Sequence, residues 1–247
     1  MTTSDFILPN WPAPNNIKAV STTRQGGFSN HPYKQLNLGT HVGDDPHLVR
    51  KNREYITQSA NLPEQPRWLE QVHGTTVIES QHWQQDIKAD AIFSQNKDHV
   101  CTVMTADCLP ILLCNQQGDT VAAIHAGWRG LAAGIIEKTI QTFSCQPSEI
   151  MAWLGPAIGP TQFEVGLEVY DLFVANDPIA CDAFKIKDPQ HYLADLYLLA
   201  RQRLQKNNVQ KIFGGDFCTV SDEDRFFSYR RDGITGRMAS MIWITDK

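Results

Sequence analysis

The chain has 247 residues, 42% of them hydrophobic, with six tryptophans, enough to bury a sizeable core in one large domain or two small ones. Its formal net charge of −5 and pI near 5.9 exclude the overall basic field of a nucleic-acid or anionic-membrane binder. No apolar run approaches the ~18 residues of a membrane span, and no signal-peptide pattern stands at Met1–Phe6. The six cysteines form no C-x-x-C pair or compact framework, so they are expected as reduced thiols in the cytoplasm.

In chain order, Ile17 to Thr23 reads as a first strand running into the glycine-rich loop Arg24–Ser29. That loop is either an ordinary turn or a device bringing Arg24 to an anionic or ribose-bearing ligand. A long polar loop through Asn37, His41, Gly43, Asp44 and Asp45 follows, of a length uncommon without a function. Asp45-Pro46 starts a helix as N-cap and first-turn proline, with Leu48, Val49, Tyr55, Ile56 and Ala60 on its apolar side. His41 and His47 are candidate metal ligands, but without close companions they read rather as solvent-exposed histidines. Short strands are expected over 67–72, ending at His73, and over 75–78, 89–93 and 100–104.

Two apolar runs, Leu109–Cys114 and Val121–Ile124, flank the polar turn Gln116–Asp119 and read as a β-hairpin. Cys108 opens its first strand and His125 closes its second. Antiparallel pairing then sets these residues, seventeen apart in sequence, opposite each other at one end of the sheet. His73 is the third candidate. Two histidines and a cysteine are a metal-ligand set that leaves one zinc position open; taken singly, Cys108 is equally a small buried hydrophobe and His125 a satisfied core histidine. Asp107 is either a catalytic acid, a carboxylate that accepts the other ring N–H of a metal-bound histidine, or a turn-former. After His125, the turn Ala126–Gly130 leads into a helix over Leu131, Ile135, Ile136, Ile140 and Phe143. Free N–H groups at that helix start, with the planar fork of Arg129, make an expected phosphate site; otherwise Arg129 is simply solvated.

Ile150–Leu154 reads as a buried strand closed by GPAIGP, and a helix follows around Leu167–Val174. Residues 176–188 read as irregular, and 191–206 as an amphipathic helix with Leu193, Leu196, Leu199, Ala200 and Leu204 inward. Strands are expected over Val209–Phe213 and Met238–Ile244. Between them, Phe226 to Gly233 sets aromatics beside Arg230 and Arg231, suited either to a nucleoside and an anion or to a core pair with surface arginines. Many strands with about four helices make an α+β fold with mixed β-sheets, expected as a single domain over 1–247.

The segments STTRQGGFS at 21–29, LNLGTHVGDDP at 36–46, QVHG at 71–74, TADCLP at 105–110, HAGWRG at 125–130, GPAIGP at 155–160 and FFSYRRDGITGR at 226–237 together resemble the bacterial laccase-domain, or polyphenol-oxidase, family. That family is better described as zinc-dependent purine nucleoside phosphorylases. The resemblance implies an α/β/β/α sandwich, two sheets between helical layers with the metal at a cleft. It implies phosphorolysis of adenosine, inosine, guanosine and methylthioadenosine, and deamination of adenosine. His73, Cys108 and His125 match the family's zinc ligands. Gln71, Arg24, Arg129, Arg230 and Arg231 are the candidate substrate contacts, with Asp107 and Arg129 beside the ligands in catalysis. The expected partners are purine nucleosides and inorganic phosphate, for a monomer or homodimer. H-x-E and P-C-x-x-C elements of the cytidine-deaminase type are missing.

Three other readings compete. Copper would suit His₂Cys with a weak Met104, but the chain has no His-x-His pair and only eight histidines for a trinuclear cluster. Cys108 as nucleophile with His125 as base makes a thiol hydrolase, of the kind proposed to edit peptidoglycan precursors. A metal-binding module without turnover is the last.

Overall fold

A computed structural model describes residues 6–246 of the chain. Met1 to Asp5, where an export signal was sought, and Lys247 lie outside the described residues. Among the described residues the α-helices are α1 (Pro46–Ser59), α2 (Trp128–Ala132), α3 (Ile135–Ile140), α4 (Leu167–Asn176), α5 (Leu196–Lys206) and α6 (Tyr229–Asp232).

The central hairpin is the middle of a six-stranded mixed sheet. Its order is Lys211–Gly214, Ile150–Leu154, Leu109–Asn115, Val121–Ala126, Ala91–Ser94, Val77–Glu79. The outermost pair at each edge is parallel and the inner pairings are antiparallel. Both hairpin strands are buried along their whole length, which is why they read as continuous apolar runs rather than as alternation. Alternation still sorts the side chains between two cores. Leu109, Ile111, Leu113, Ala122 and Ile124 face the layer of α2 to α5. Leu112, Cys114, Val121 and Ala123 face Cys101, Val103, Ile242 and Ile244 of a second, antiparallel sheet. That sheet runs Phe6–Ile7, Ile17–Thr22, Met238–Ile244, Cys101–Thr105. Its outer face, with Val20, Met104, Ala239 and Met241, packs on Ile56 of α1 and on Leu36 and Leu38. The result is the expected α/β/β/α layering, with a small third sheet of Phe184–Asp188, His191–Ala194 and Glu164–Gly166. Among the described residues no helix is long and apolar enough to cross a membrane.

Helix α1 starts as expected: the Asp45 carboxylate accepts from His47 N–H at 2.8 Å and Pro46 occupies the first turn. Four local expectations differ. Residues 67–72 form only isolated bridges, Arg67 to Cys101 and Glu70 to Lys88. The side-chain amide of Gln71 takes the place of a strand, donating to Met104 O and accepting from Met104 N, both at 2.7 Å. The helix after His125 is broken into α2 and α3, because Gly134 between them sits at φ +93°. Residues 176–188 hold a 3₁₀ turn, Pro178–Ala183, and the strand Phe184–Asp188. The helix expected from His191 begins only at Leu196: His191–Ala194 is the middle strand of the third sheet. Tyr192 there stacks on Tyr170 at 4.4 Å, and the Asp195 carboxylate caps α5 at Leu198 N.

Candidate metal centre

The hairpin, a neighbouring strand and a loop bring three donor atoms to one end of the six-stranded sheet. His125 lies near the end of Val121–Ala126, 3% exposed. Its register partner is Pro110 rather than Cys108. The first strand starts at Leu109, because Asp107 turns the chain at φ +84°. Cys108 is thus the diagonal neighbour of His125, on the same face and two positions along.

Asp90, fully buried beside the strand Ala91–Ser94, organises the rest. Its Oδ1 lies 2.8 Å from His125 Nδ1. The same carboxylate accepts from His73 N–H at 2.9 Å and Gly74 N–H at 2.7 Å. One group therefore orients the His125 ring and fixes the loop that carries His73, itself at φ +60°. Burial alone would raise the Asp90 carboxyl. The hydrogen bond and charge of His125, with the Gly74 and His73 amides, outweigh it and hold the group below the usual carboxylate range.

With Nδ1 of His125 engaged, its Nε2 is left for a metal. The His73 and His125 rings meet edge to face with centroids 4.8 Å apart, and Cys108 Sγ lies 3.8 Å from His73 Nε2. All three donor atoms lie within 4.8 Å of one another, the one such group of three among the described residues. Zinc–sulfur and zinc–nitrogen bonds of ~2.3 and ~2.0 Å at tetrahedral angles put donors about 3.3–3.6 Å apart. The cluster is close to that spacing, and thiolate with two imidazoles suits zinc or copper. Burial would raise the Cys108 thiol and lower His125. Each group's charge outweighs this for the other, pushing Cys108 down and His125 up. A thiolate is the form that binds metal. Gly127 packs directly over the cluster: a Cβ there would come within 2.8 Å of His73 Cδ2 and 3.2 Å of Cys108 Sγ.

The donors open into a cleft of about 900 Å³. Gln71 lines it while bound to Met104; Met104 lines it too, its sulfur 4.0 Å from Arg53. The other expected contacts lie elsewhere. Asp107 does not face the donor atoms. Its carboxylate accepts from Thr219 Oγ1 at 2.6 Å and from Arg230 N–H at 2.7 Å, tying the Cys108 turn to α6. Arg129 is exposed and stacks 4.2 Å over Trp128, off the cleft wall, because the second turn position of α2 points it outward while Gly130 packs on Gly74 O. Arg24 donates to Lys34 O and Glu223 O and covers Phe227. Arg231 donates to the carbonyls of Thr219, Val220 and Phe226 and pairs with Asp232. Arg230 donates to Glu164 O over the Phe163 ring. These arginines hold loops together. Sequence reasoning missed Asp90, whose signal was a lone carboxylate between alanines at the start of a buried strand. It also missed that His41, Arg53 and Arg237 line the cleft.

A layered mixed α/β sandwich with a carboxylate-braced His-Cys-His cluster at a cleft defines a metal-capable pocket protein. The chain belongs to the family described as multi-copper polyphenol oxidoreductase laccase, whose family model it matches over residues 18–245. It is 53% identical over 98% of its length to the purine nucleoside phosphorylase YfiH of Escherichia coli K12, covering 99% of that protein. It is 50% identical, over 98% of this chain and 99% of the relative, to a Pseudomonas aeruginosa protein also named a purine nucleoside phosphorylase. Among solved structures, Neisseria meningitidis protein NMB0706 superposes with TM-score 0.95 at 48% identity, covering 98% of this chain and 100% of that one. YlmD from Geobacillus stearothermophilus gives 0.88 at 29% identity, covering 100% and 98%.

Proposed function

We propose that this chain is a cytoplasmic, zinc-dependent purine nucleoside phosphorylase for adenosine, inosine, guanosine and methylthioadenosine, with adenosine deamination as a second activity. The observation that carries it is the braced His73–Cys108–His125 cluster at the wall of a cleft of about 900 Å³, within the ~300–1,000 Å³ usual for small-molecule sites. The names of relatives up to 53% identical support the substrate class. His73, Cys108 and His125 would hold zinc, which supplies Lewis acidity to the site. Asp90 keeps a proton on His125 Nδ1 and so fixes the tautomer that presents Nε2. Trp68 and Trp83 give the cleft flat apolar surface for a purine. In phosphorolysis a phosphate oxygen bonds to the anomeric carbon as the glycosidic C–N bond breaks. The electron pair leaves on the purine nitrogen, which takes a proton, giving free purine and ribose 1-phosphate. In deamination water replaces the 6-amino group and ammonia leaves.

The test is product analysis on a purine nucleoside panel with zinc-loaded protein, with and without phosphate. Phosphate-dependent release of hypoxanthine from inosine is the expected result; no phosphate-dependent cleavage of any nucleoside would sink the reading. One observation favours a second reading. Cys108, His125 and Asp90 stand in the order nucleophile, base, orienting carboxylate, which fits a thiol hydrolase acting on a peptidoglycan precursor. Activity that survives chelation and dies on alkylation would choose it over zinc, and copper in the purified protein would choose an oxidase.

A further inference from the structure

Two arginines of the cleft form no ion pair with a carboxylate among the described residues. Arg53 projects from α1, with Nε and Nη2 both donating to Leu38 O at 3.0 and 2.8 Å and its guanidinium 4.0 Å over the Trp68 ring. Arg237 donates through Nη1 to Thr235 O and Gly236 O at 3.1 and 3.0 Å. Its stem lies against Gly39, where a Cβ would meet Arg237 Cγ at 2.9 Å. Its backbone N–H is held by Asn37 Oδ1 at 2.9 Å. The long polar loop of residues 37–45 thus has a role: its backbone positions both cations. Among the described residues, the arginines in ion pairs with carboxylates are Arg67, Arg203, Arg225 and Arg231, and neither cleft arginine is among them.

Carbonyls satisfy some of their N–H groups but do not neutralise their charge. Nη1 of Arg53, and Nε and Nη2 of Arg237, have no protein acceptor among the described residues. Burial lowers Arg53 to about 10 and also lowers Arg237, where the charge of Cys108 partly offsets it. His41, on the same wall, is held below its ordinary value by burial and then by the charges of Arg237 and Arg53. Two guanidinium groups facing a cleft with no carboxylate paired to either, beside an imidazole that burial and their charges keep neutral, are costly unless an anion joins them; Glu70 and Asp86 line the same cleft without pairing with them. Planar guanidinium forks match phosphate oxygens.

We propose that Arg53 and Arg237, with His41 beside them, form the phosphate subsite of the cleft and take an inorganic phosphate dianion next to the His73–Cys108–His125 donors. This deepens the phosphorylase reading and rests on it for the use to which the anion is put. It moves the anion site from Arg129, exposed and off the cleft wall, to two half-buried arginines that line the cleft.

The test is calorimetric titration of zinc-loaded protein with inorganic phosphate and, separately, with inosine 5′-monophosphate. Arg53→Gln and Arg237→Gln should each weaken phosphate binding on the order of 10- to 100-fold, the loss expected for one charge-assisted contact. In kinetics the phosphate KM should rise by a similar factor while the inosine KM stays near wild type. Phosphate affinity unchanged in both variants, or lost only in Arg129→Ala, overturns the subsite. So does an effect confined to the monophosphate, which would make the anion a nucleotide's own phosphate. Because Arg53 also braces Leu38, its variant can fail to fold. Phosphate titration of wild-type protein, read on arginine Nε–H resonances by NMR, then decides: the Arg237 signal must shift, and a still signal overturns the proposal. Phosphate binding without phosphorolysis would refute the phosphorylase reading and leave the subsite. Phosphorolysis with an unchanged phosphate KM in the variants would do the reverse.

Discussion

Replacing Gly127 by alanine isolates the metal site from the fold. Gly127 sits at φ −64°, ψ 155°, a conformation any L-residue adopts. The substitution therefore strains no backbone, and its whole effect falls on what the new methyl meets. That is His73 Cδ2 at 2.8 Å, which is 0.6 Å (3.4 − 2.8) inside the shortest ordinary contact, and Cys108 Sγ at 3.2 Å. The exposed His73 ring is the part free to give way, and metal distances tolerate only about 0.2 Å. Structural zinc affinities of ~10–16 kcal/mol over four ligands assign about 2.5–4 kcal/mol to one ligand. At ~1.4 kcal/mol per tenfold, loss of His73 weakens zinc roughly 60- to 700-fold. Competition with a chelating dye at pH 7 measures this. Thermal unfolding in excess chelator is the control: without metal the variant should unfold close to the wild-type temperature, since the ~0.4–1 kcal/mol that Gly→Ala gains at a compatible φ/ψ is offset by alanine's poorer fit at the N-cap of α2. Wild-type zinc affinity in Gly127→Ala would refute the assignment of His73 as a ligand packed under Gly127.

Asp90→Asn should weaken zinc about 10- to 100-fold in the same dye assay, the usual effect of losing a ligand's carboxylate partner; it should also lower the unfolding temperature of metal-free protein, because the amide NH₂ would face either the Gly74 N–H or, flipped, the His73 N–H and His125 Nδ1. Unchanged affinity would remove Asp90 from its orienting role. Tyr197→Phe tests the core behind the cleft. The Tyr197 hydroxyl accepts from Ala157 N–H at 2.9 Å and lies 3.1 Å from Gly155 O and Phe217 O, to one of which it donates. Its loss leaves buried groups unpaired at about 1–3 kcal/mol, a fall in Tm of roughly 2–12 °C by calorimetry for a domain of this size, with zinc affinity unchanged.

The parts of the fold legible in sequence are those whose signal is local. The hairpin from Leu109 to Ala126 shows as two apolar runs around a polar turn, and Asp45-Pro46 marks a helix start that needs no tertiary help. His191–Lys206 misled because Leu193, Leu196, Leu199, Ala200 and Leu204 satisfy a helical period, while the first four residues are claimed by strands on both sides. Pairing to distant chain overrides propensity there. Gln71 shows the opposite substitution, a side chain doing what a strand's backbone was expected to do. In the site, the hairpin gave Cys108 and His125 from spacing, with His73 as a third candidate upstream, and the resemblance matched all three to zinc ligands. Arg53 and Arg237 carry no local mark, since their meaning lies in the missing carboxylate, which only the packed structure exhibits.

Asp107 and His73 explain why the cluster forms where it does. Both adopt left-handed backbone, at φ +84° and +60°, a conformation that costs a non-glycine residue of order 1–3 kcal/mol unless its surroundings fix it. Each is fixed by a buried carboxylate. Asp90 receives the N–H groups of His73 and Gly74, and the side chain of Asp107 receives Thr219 and the start of α6. The first turns His73 back toward the sheet end; the second ends the turn so that Cys108 enters the hairpin on the His125 face. Asp107 thus serves the site without touching it, through the direction it gives the next residue. The hydrogen bonds of these two carboxylates are what hold the backbone at both positions in a conformation that would otherwise be costly, and that backbone directs the three donors to one point.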